Sequence, residues 1–93
     1  MIKSFRDKAS EDIFHGRGCD KRWRSFERVA LRKLLMIHAA SKLSDLKAPP
    51  NNKLEALKKE RKGRHAIRIN DVYRICFVWV DGHAEQVEIA DYH

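Results

Sequence analysis

The spacing of the apolar residues changes at Pro49-Pro50, and this change limits how the chain can fold more than any other feature. Before the prolines, apolar residues recur every three or four positions, which is the period of an amphipathic helix: Trp23, Phe26, Ala30, Leu34, Ile37. After the prolines the period is two, as in a strand. Proline cannot continue a helix and favours extended backbone. The sequence therefore predicts an α+β fold, with N-terminal helices covering one face of an antiparallel sheet.

The helical half contains two predicted helices. Residues 1–5 are a candidate short strand before them. Asp7 or Ser10 can cap a short helix within residues 7–18, which glycines at its far end terminate. The longer helix runs from about residue 22 to residue 40. Arg32 and Lys33 lie mostly off its apolar stripe, which predicts a basic outer surface for this helix.

The second half predicts four extended segments, at residues 54–58, 64–69, 72–80 and 83–93. Asn70-Asp71 and Asp81-Gly82 are two-residue turn signals that join the last three segments into a meander. Aromatic and aliphatic residues alternate along the central strand: Tyr73, Ile75, Phe77, Trp79. This row predicts a core face packed against the helices, and a platform for base stacking is the alternative.

Arg74 stands in the middle of the central strand, where an apolar residue is usual. If both turns contain two residues, alternation puts Arg74, Ile89, Asp91 and His93 on one face, which His65 shares. A guanidinium there needs an anion, because an unpaired buried charge is costly. The residues leave two interpretations open: a salt bridge to Asp91 or Glu88, and a site for phosphate, which the planar fork of arginine binds well.

Composition restricts the class of protein. The 93 residues predict a single domain over residues 1–93, and a net charge of +7 with a pI near 9.7 favours an anionic partner such as nucleic acid over a plain basic surface. Residues 51–80 hold eight Lys or Arg against three acids, whereas residues 81–93 hold four acids and no Lys or Arg. Cys76 lies in an apolar run, which predicts a buried thiol rather than a disulfide with Cys19. With no signal peptide and no apolar run near ~18 residues, we expect a cytoplasmic protein without a membrane segment.

The stretch NKLEALKKERKGRHAIRINDVYRICFVW, followed by VEIADYH, resembles the HigB-type toxins of the RelE/ParE superfamily. These are small bacterial endoribonucleases of type II toxin–antitoxin systems that cut mRNA on the translating ribosome. The resemblance covers essentially the whole chain, from the MIKSF opening to the DYH ending. It implies two N-terminal helices on an antiparallel sheet, with a site formed by the sheet and the C-terminal tail and with no metal or cofactor.

Carried over by position, the resemblance implies a catalytic set: Glu55, Lys58, Arg74, Asp91, Tyr92, His93. Typical HigB toxins have a histidine where this chain has Glu55. Glutamate at this place is similar to YoeB, a superfamily member in which such a glutamate pairs with a C-terminal histidine. The implied acid–base pair is therefore Glu55 and His93.

The implied chemistry explains these residue types. The 2′-OH of RNA attacks the adjacent phosphate, so Glu55 serves as the base and His93 as the acid for the 5′-oxygen that leaves. Arg74 and Lys58 stabilise the charge on the phosphorane. The last two residues of the set have supporting roles: Asp91 orients Arg74 or His93, and Tyr92 stacks on the substrate or hydrogen-bonds to it.

The resemblance also implies partners. Basic residues of the helices and of the second half are expected to bind rRNA and mRNA on the 70S ribosome. Those of the second half are Lys59, Arg61, Lys62, Arg64 and Arg68. A HigA-like antitoxin with a helix-turn-helix is expected to neutralise the toxin, and operator DNA is expected to be bound only by that complex. Two alternatives on the same fold remain, a ParE-like toxin that inhibits DNA gyrase without catalysis and a plain RNA-binding module.

Overall fold

Two helices lie against one face of a four-stranded antiparallel sheet in the computed structural model, which describes residues 1–58 and 62–91. The helices are α1 (Lys8–His15) and α2 (Glu27–Ala39). The strands are β1 (Glu55–Ala56), β2 (Arg64–Arg68), β3 (Tyr73–Val80) and β4 (His83–Asp91), and they lie side by side in chain order. The predicted α+β architecture is confirmed.

Helix α1 begins and ends where its sequence signals predict. The Asp7 carboxylate accepts a hydrogen bond from the backbone N–H of Ser10 at 2.7 Å, and Gly16 ends the helix with a left-handed backbone, φ 70°. Ser10 is fully buried, and its hydroxyl oxygen accepts the N–H of Ile89 in β4 at 2.9 Å. This bond attaches the helix directly to the sheet.

The predicted second helix is divided into two elements. Residues Lys21–Phe26 form a 3₁₀ helix, and α2 begins only at Glu27. A 3₁₀ turn places side chains three residues apart on the same side, so that Trp23 and Phe26 are both buried. Lys33 also differs from its prediction, because it is only 3% exposed and lies on the buried side of α2 beside Leu34.

The segment around the two prolines is tightly turned. It contains two short 3₁₀ helices, Leu43–Lys47 and Pro50–Asn52, and a cis peptide bond between Ala48 and Pro49. Asn52 is fully buried, and its side-chain amide donates to the carbonyls of Leu46 and Ala48, both at 3.2 Å. These bonds fix the chain as it enters β1. The predicted strand at residues 1–5 forms two isolated parallel bridges to β4.

The alternating row on β3 faces the helices, as predicted. Ile75 and Phe77 are fully buried, Trp79 packs against the same core, and the Tyr73 ring lies 4.8 Å from the ring of Phe26. Because the whole row faces the helices, the opposite face of β3 carries the remaining residues of the strand.

The predicted register is wrong by one residue on both sides of β3. The turn before β3 contains three residues, since Ile69 and Asn70 both donate to the Tyr73 carbonyl, and Arg74 therefore pairs with Arg68 rather than Ile67. The Asp81-Gly82 turn is correct, with Val80 opposite His83. A bulge beyond it, where Gln86 has φ 52°, shifts the pairing so that Ala90, not Ile89, lies opposite Arg74.

The described residues include both cysteines, and neither is in a disulfide; Cys76 is buried as predicted. None of the helices among the described residues has the length and apolar character needed to span a membrane.

Candidate active site

The face of the sheet turned away from the helices is called here the open face, and it concentrates charged side chains. The observed register puts six of them on this face: Glu55, Arg64, Arg68, Arg74, Glu85, Glu88. They come from all four strands. The short β1 is held against β2 by pairing of Glu55 with Ala66, and the N–H of Leu57 donates to the Arg64 carbonyl at 2.8 Å.

Glu55 and Arg74 form an ion pair on the open face. Their closest atoms, Arg74 Nη1 and Glu55 Oε1, are 3.6 Å apart. The arginine side chain is 14% exposed, whereas that of the glutamate is 49% exposed. The carboxylate therefore remains accessible to a ligand, while the arginine side chain is largely buried.

A shallow hollow of about 360 Å³ lies beside this pair. Four charged residues line it, namely Lys53, Glu55, Arg68 and Asp71. Arg68 donates through Nε to the carbonyl of Asn70 at 3.1 Å and pairs with the Asp71 carboxylate, which is 91% exposed. An anionic ligand in this hollow would meet the cations Lys53 and Arg68 next to the carboxylate of Glu55.

Arg64 differs from the surface contact that the sequence predicts. It is 8% exposed, and one of its terminal nitrogens lies 2.9 Å from the Gln86 carbonyl and 3.0 Å from Glu88 Oε2. Arg6 binds the same oxygen of Glu88 at 3.2 Å. The guanidinium of Arg64 is thus engaged inside the protein, where it holds the β4 bulge against β2.

Asp91 lies on the opposite face of the sheet from Arg74, so the predicted shared face is wrong. It pairs with Tyr73, and it lines a separate hollow of about 290 Å³ together with Arg22 and Trp23. His65 is also on the helix side, where its ring stacks on Phe77 at 6.3 Å. The one-residue shifts in register are the reason for both differences.

The remaining predicted residues fall into two groups. Lys58 and Lys62 are exposed, and both lie between the end of β1 and the start of β2. The other four lie outside the described residues: Lys59, Arg61, Tyr92, His93. Of the predicted catalytic set, the structure therefore brings together Glu55 and Arg74.

The described residues contain no group of three or more His, Cys, Asp or Glu side chains arranged to hold a metal ion. The open face instead offers a carboxylate, which can accept a proton, beside a guanidinium, which can bind two oxygens of one phosphate. This combination suits acid–base chemistry on a phosphate ester.

The sequence put Arg32 and Lys33 on the outer surface of a helix and did not predict that they, or Lys53, would lie near this site. Lys53 lines the hollow beside Glu55, and Arg32 and Lys33 line a neighbouring pocket with Arg68. Lys33 had a usable signal, because it lies three residues after Ala30 and four before Ile37 on the buried stripe. A lysine at such a position is rarely buried without a reason.

Comparison of the sequence with known proteins gives two findings. Residues 3–93 match a family described as the RelE-like toxin of the type II toxin–antitoxin system HigB. The chain is 42% identical over 86 residues to Toxin HigB-1 of Vibrio cholerae, an alignment that covers 88% of this chain and 87% of that protein.

Solved structures with the same fold include YafQ from E. coli and YoeB from Staphylococcus aureus. YafQ superposes with a TM-score of 0.57 at 15% identity, covering 99% of this chain and 92% of that one. The YoeB dimer gives 0.55 at 21% identity, covering 99% and 94%. YoeB in a complex with YefM gives 0.53 at 21% identity, covering 100% and 98%. At these identities the likeness concerns the fold, which agrees with the predicted RelE-like architecture.

Proposed function

The chain belongs to the HigB-like family of RelE-like toxins from type II toxin–antitoxin systems, and from this premise we propose that it is an endoribonuclease that cuts mRNA on the ribosome in the cytoplasm. The observation that carries the proposal is the Glu55–Arg74 pair on the open face. It sets an accessible carboxylate against a guanidinium beside a hollow whose lining adds two cations, Lys53 and Arg68, and one carboxylate, Asp71.

The proposed reaction uses the nucleophile that RNA itself supplies. Glu55 removes the proton from the 2′-OH, whose oxygen then attacks the adjacent phosphorus. The bond from phosphorus to the 5′-oxygen breaks, and His93 gives a proton to this leaving oxygen. The products are a 2′,3′-cyclic phosphate and a 5′-hydroxyl. The reaction consumes no metal, cofactor or external oxidant.

The guanidinium of Arg74 has the largest electrostatic role in this scheme. Negative charge grows on the equatorial oxygens of the phosphate as the 2′-oxygen attacks, and a fixed cation stabilises that charge more than it stabilises the ground state. Its low exposure supports this role, because a largely buried side chain needs little reorganisation during the reaction. Lys58, exposed just beyond β1, is the second proposed cation.

Tyr92 and Asp91 take revised places in the proposal. Because Asp91 lies on the helix side of the sheet, we assign it to holding the end of β4 rather than to orienting Arg74. Tyr92 remains the proposed contact to a substrate base. Together with His93 it directly follows β4, which runs beside β3 and its Arg74.

Ribosomal RNA is the proposed docking partner. The exposed Lys62 and the partly exposed Arg68 support this, as do Lys59 and Arg61 by their charge and position in the sequence. Arg64 is left out of this surface because its guanidinium is engaged with Glu88 and Gln86. Binding through backbone phosphates should weaken steeply as salt is added.

A cognate antitoxin is the second proposed partner. The family takes its description from a toxin–antitoxin system, and the structural relative YoeB is known in a complex with YefM. We propose a HigA-like antitoxin with a helix-turn-helix, which inactivates this chain and through which the complex binds operator DNA.

The proposal is tested with the purified protein and mRNA in a reconstituted translation system. Primer extension should reveal cuts in the mRNA of programmed 70S ribosomes and none in the same mRNA without ribosomes. The upstream fragment should carry a 2′,3′-cyclic phosphate. An mRNA that stays intact in both samples contradicts the proposal, and inhibition of DNA gyrase supercoiling in a parallel assay would then favour the ParE-like alternative.

A further inference from the structure

A second basic pocket lies beside the candidate site, between α2 and the turn that joins β2 to β3. It has a volume of about 290 Å³ and three cations in its lining, Arg32 and Lys33 from the helix and Arg68 from the strand. The remaining lining residues are neutral: Val29, Asn51, Ile69, Asn70. No carboxylate of the described residues lines this pocket.

Lys33 is the unusual member of this group. It is 3% exposed, and its hydrogen-bond acceptor among the described residues is the Oδ1 atom of Asn52, a neutral group. An ammonium has three N–H groups, so one such bond leaves donor capacity. A buried charge without a counterion destabilises a protein, and natural sequences keep one where something compensates for it.

Positive charges from the helix and from β2 surround Lys33 and disfavour its charged form. Burial, followed by the nearby charges of Arg32 and Arg68, lowers the pKa of Lys33 below its usual value. Arg68 already has a counterion in Asp71, which is outside the pocket lining. An anion bound between the three cations would relieve the repulsion that remains and give Lys33 the counterion that Asn52 cannot supply. A phosphate group suits the place, because it offers several acceptor oxygens to guanidinium and ammonium donors.

Arg68 connects this pocket with the candidate active site. It lines both the hollow that contains Glu55 and the pocket that contains Lys33. A strand of RNA that places one phosphate at Arg74 can therefore continue across Arg68 towards the helix. The two sites lie along one path at the end of the sheet where β2 leads into the turn.

We infer that the pocket formed by Arg32, Lys33 and Arg68 binds a backbone phosphate of RNA next to the site of cleavage. This inference rests on the proposed function in taking RNA as the ligand. It adds a site that fixes the position of the strand, outside the groups that act on the scissile phosphate.

The test measures how salt weakens binding of a short single-stranded RNA whose 2′-hydroxyls are methylated, so that it cannot be cut. Each phosphate contact adds about 0.7 to the slope of log K against log salt. Arg32→Gln and Lys33→Met should each lower that slope by about 0.7 and weaken binding by about tenfold at low salt. The double variant should show the same slope as either single variant, since all three cations hold one phosphate.

Lys3→Met is the matched control, because Lys3 is exposed and its loss changes the net charge equally. It should leave the slope unchanged. Since Arg32 is exposed, Arg32→Gln tests the pocket even if the buried Lys33→Met variant folds poorly. A slope that neither pocket variant changes, or that the control changes as much, overturns the inference.

Thermal unfolding in phosphate and in chloride at equal ionic strength separates the two sources of a phosphate group. If inorganic phosphate raises the melting temperature of the wild type but not of Arg32→Gln, while the RNA slope stays the same in both, the ligand is the free ion and the RNA assignment is wrong. Binding of the methylated RNA is measured without cleavage, so the pocket and the proposed function are tested separately. If the pocket variants weaken RNA binding but the wild type never cuts mRNA, the proposed function is overturned and the pocket is not.

Discussion

Arg74→Met should slow mRNA cleavage on the ribosome by about 10²–10³-fold, with little change in the concentration of ribosomes needed for half-maximal rate. The reason is that the guanidinium acts on charge that develops only as the phosphorane forms. Methionine fills the space of the buried aliphatic part of the arginine side chain and carries no charge. The cleavage rate of Arg74→Lys should fall between those of the wild type and Arg74→Met, because an ammonium keeps the charge but cannot contact two oxygens in the same way. Single-turnover cleavage of a programmed ribosome measures these rates.

Arg6→Met is the matched control for this prediction. Arg6 also pairs with a glutamate, Glu88, at 3.2 Å, but its side chain is 58% exposed and belongs to the N-terminal segment. Its loss should leave the cleavage rate within about threefold, in keeping with the small energies of exposed ion pairs. Equal losses in Arg74→Met and Arg6→Met would remove Arg74 from the catalytic role.

His93→Gln should reduce the cleavage rate by about 10²–10⁴-fold, the usual contribution of general acid catalysis. An imidazole titrates near neutral pH, so it can hold a proton and release it to the 5′-oxygen, whereas an amide cannot. The measurement is again single-turnover cleavage, now with two mRNAs. In one of them, sulfur replaces the bridging 5′-oxygen at the cut.

The sulfur-containing mRNA distinguishes loss of the general acid from loss of the general base. A thiolate leaves without being protonated, so the His93→Gln variant should cut this mRNA at nearly the rate of the wild type. Glu55→Gln should stay slow on both mRNAs, because sulfur does not help the 2′-OH to lose its proton. If sulfur rescues Glu55→Gln and not His93→Gln, the two proton-transfer roles are exchanged.

The sequence predicted those parts of the fold that depend on local signals. Asp7 caps the start of α1 and Gly16 ends it, and Asp81-Gly82 forms the two-residue turn. Each of these residue types is typical of its position in a helix cap or a hairpin turn. The alternation along β3 correctly predicted the core face. The Glu55–Arg74 pair joins two residues that the family resemblance had already implied as catalytic.

The strand register on either side of β3 could not be predicted from local signals. The turn before β3 gains a residue because the Asn70 side chain accepts the N–H groups of Val72 and Tyr73, both at 2.8 Å. The bulge in β4 puts Gln86, rather than a glycine, at positive φ, where Arg64 binds its carbonyl. Both irregularities depend on contacts that the linear pattern does not display.

One inconsistency in the pattern could have revealed the error. The predicted pairing put Arg74 opposite Ile67 and Ile89, although both isoleucines are apolar and Arg74 alternates with the core row. Moving each pairing by one residue places Ile75 between Ile67 and Ile89, as the structure has it. Requiring the isoleucines of the three neighbouring strands to share a face would have given the observed register beside Arg74.

The most direct test of the proposed reaction is cleavage of an mRNA that lacks a single 2′-oxygen. The mRNA carries 2′-deoxyribose at the nucleotide whose 3′ phosphate is cut in the unmodified message, and it is presented on programmed 70S ribosomes. If the 2′-OH is the nucleophile, the cut at this position disappears. The same message is still cut when the ribosome is stalled at other codons. A cut that persists at the deoxy position would mean that water or a side chain attacks the phosphate, which contradicts the proposed mechanism.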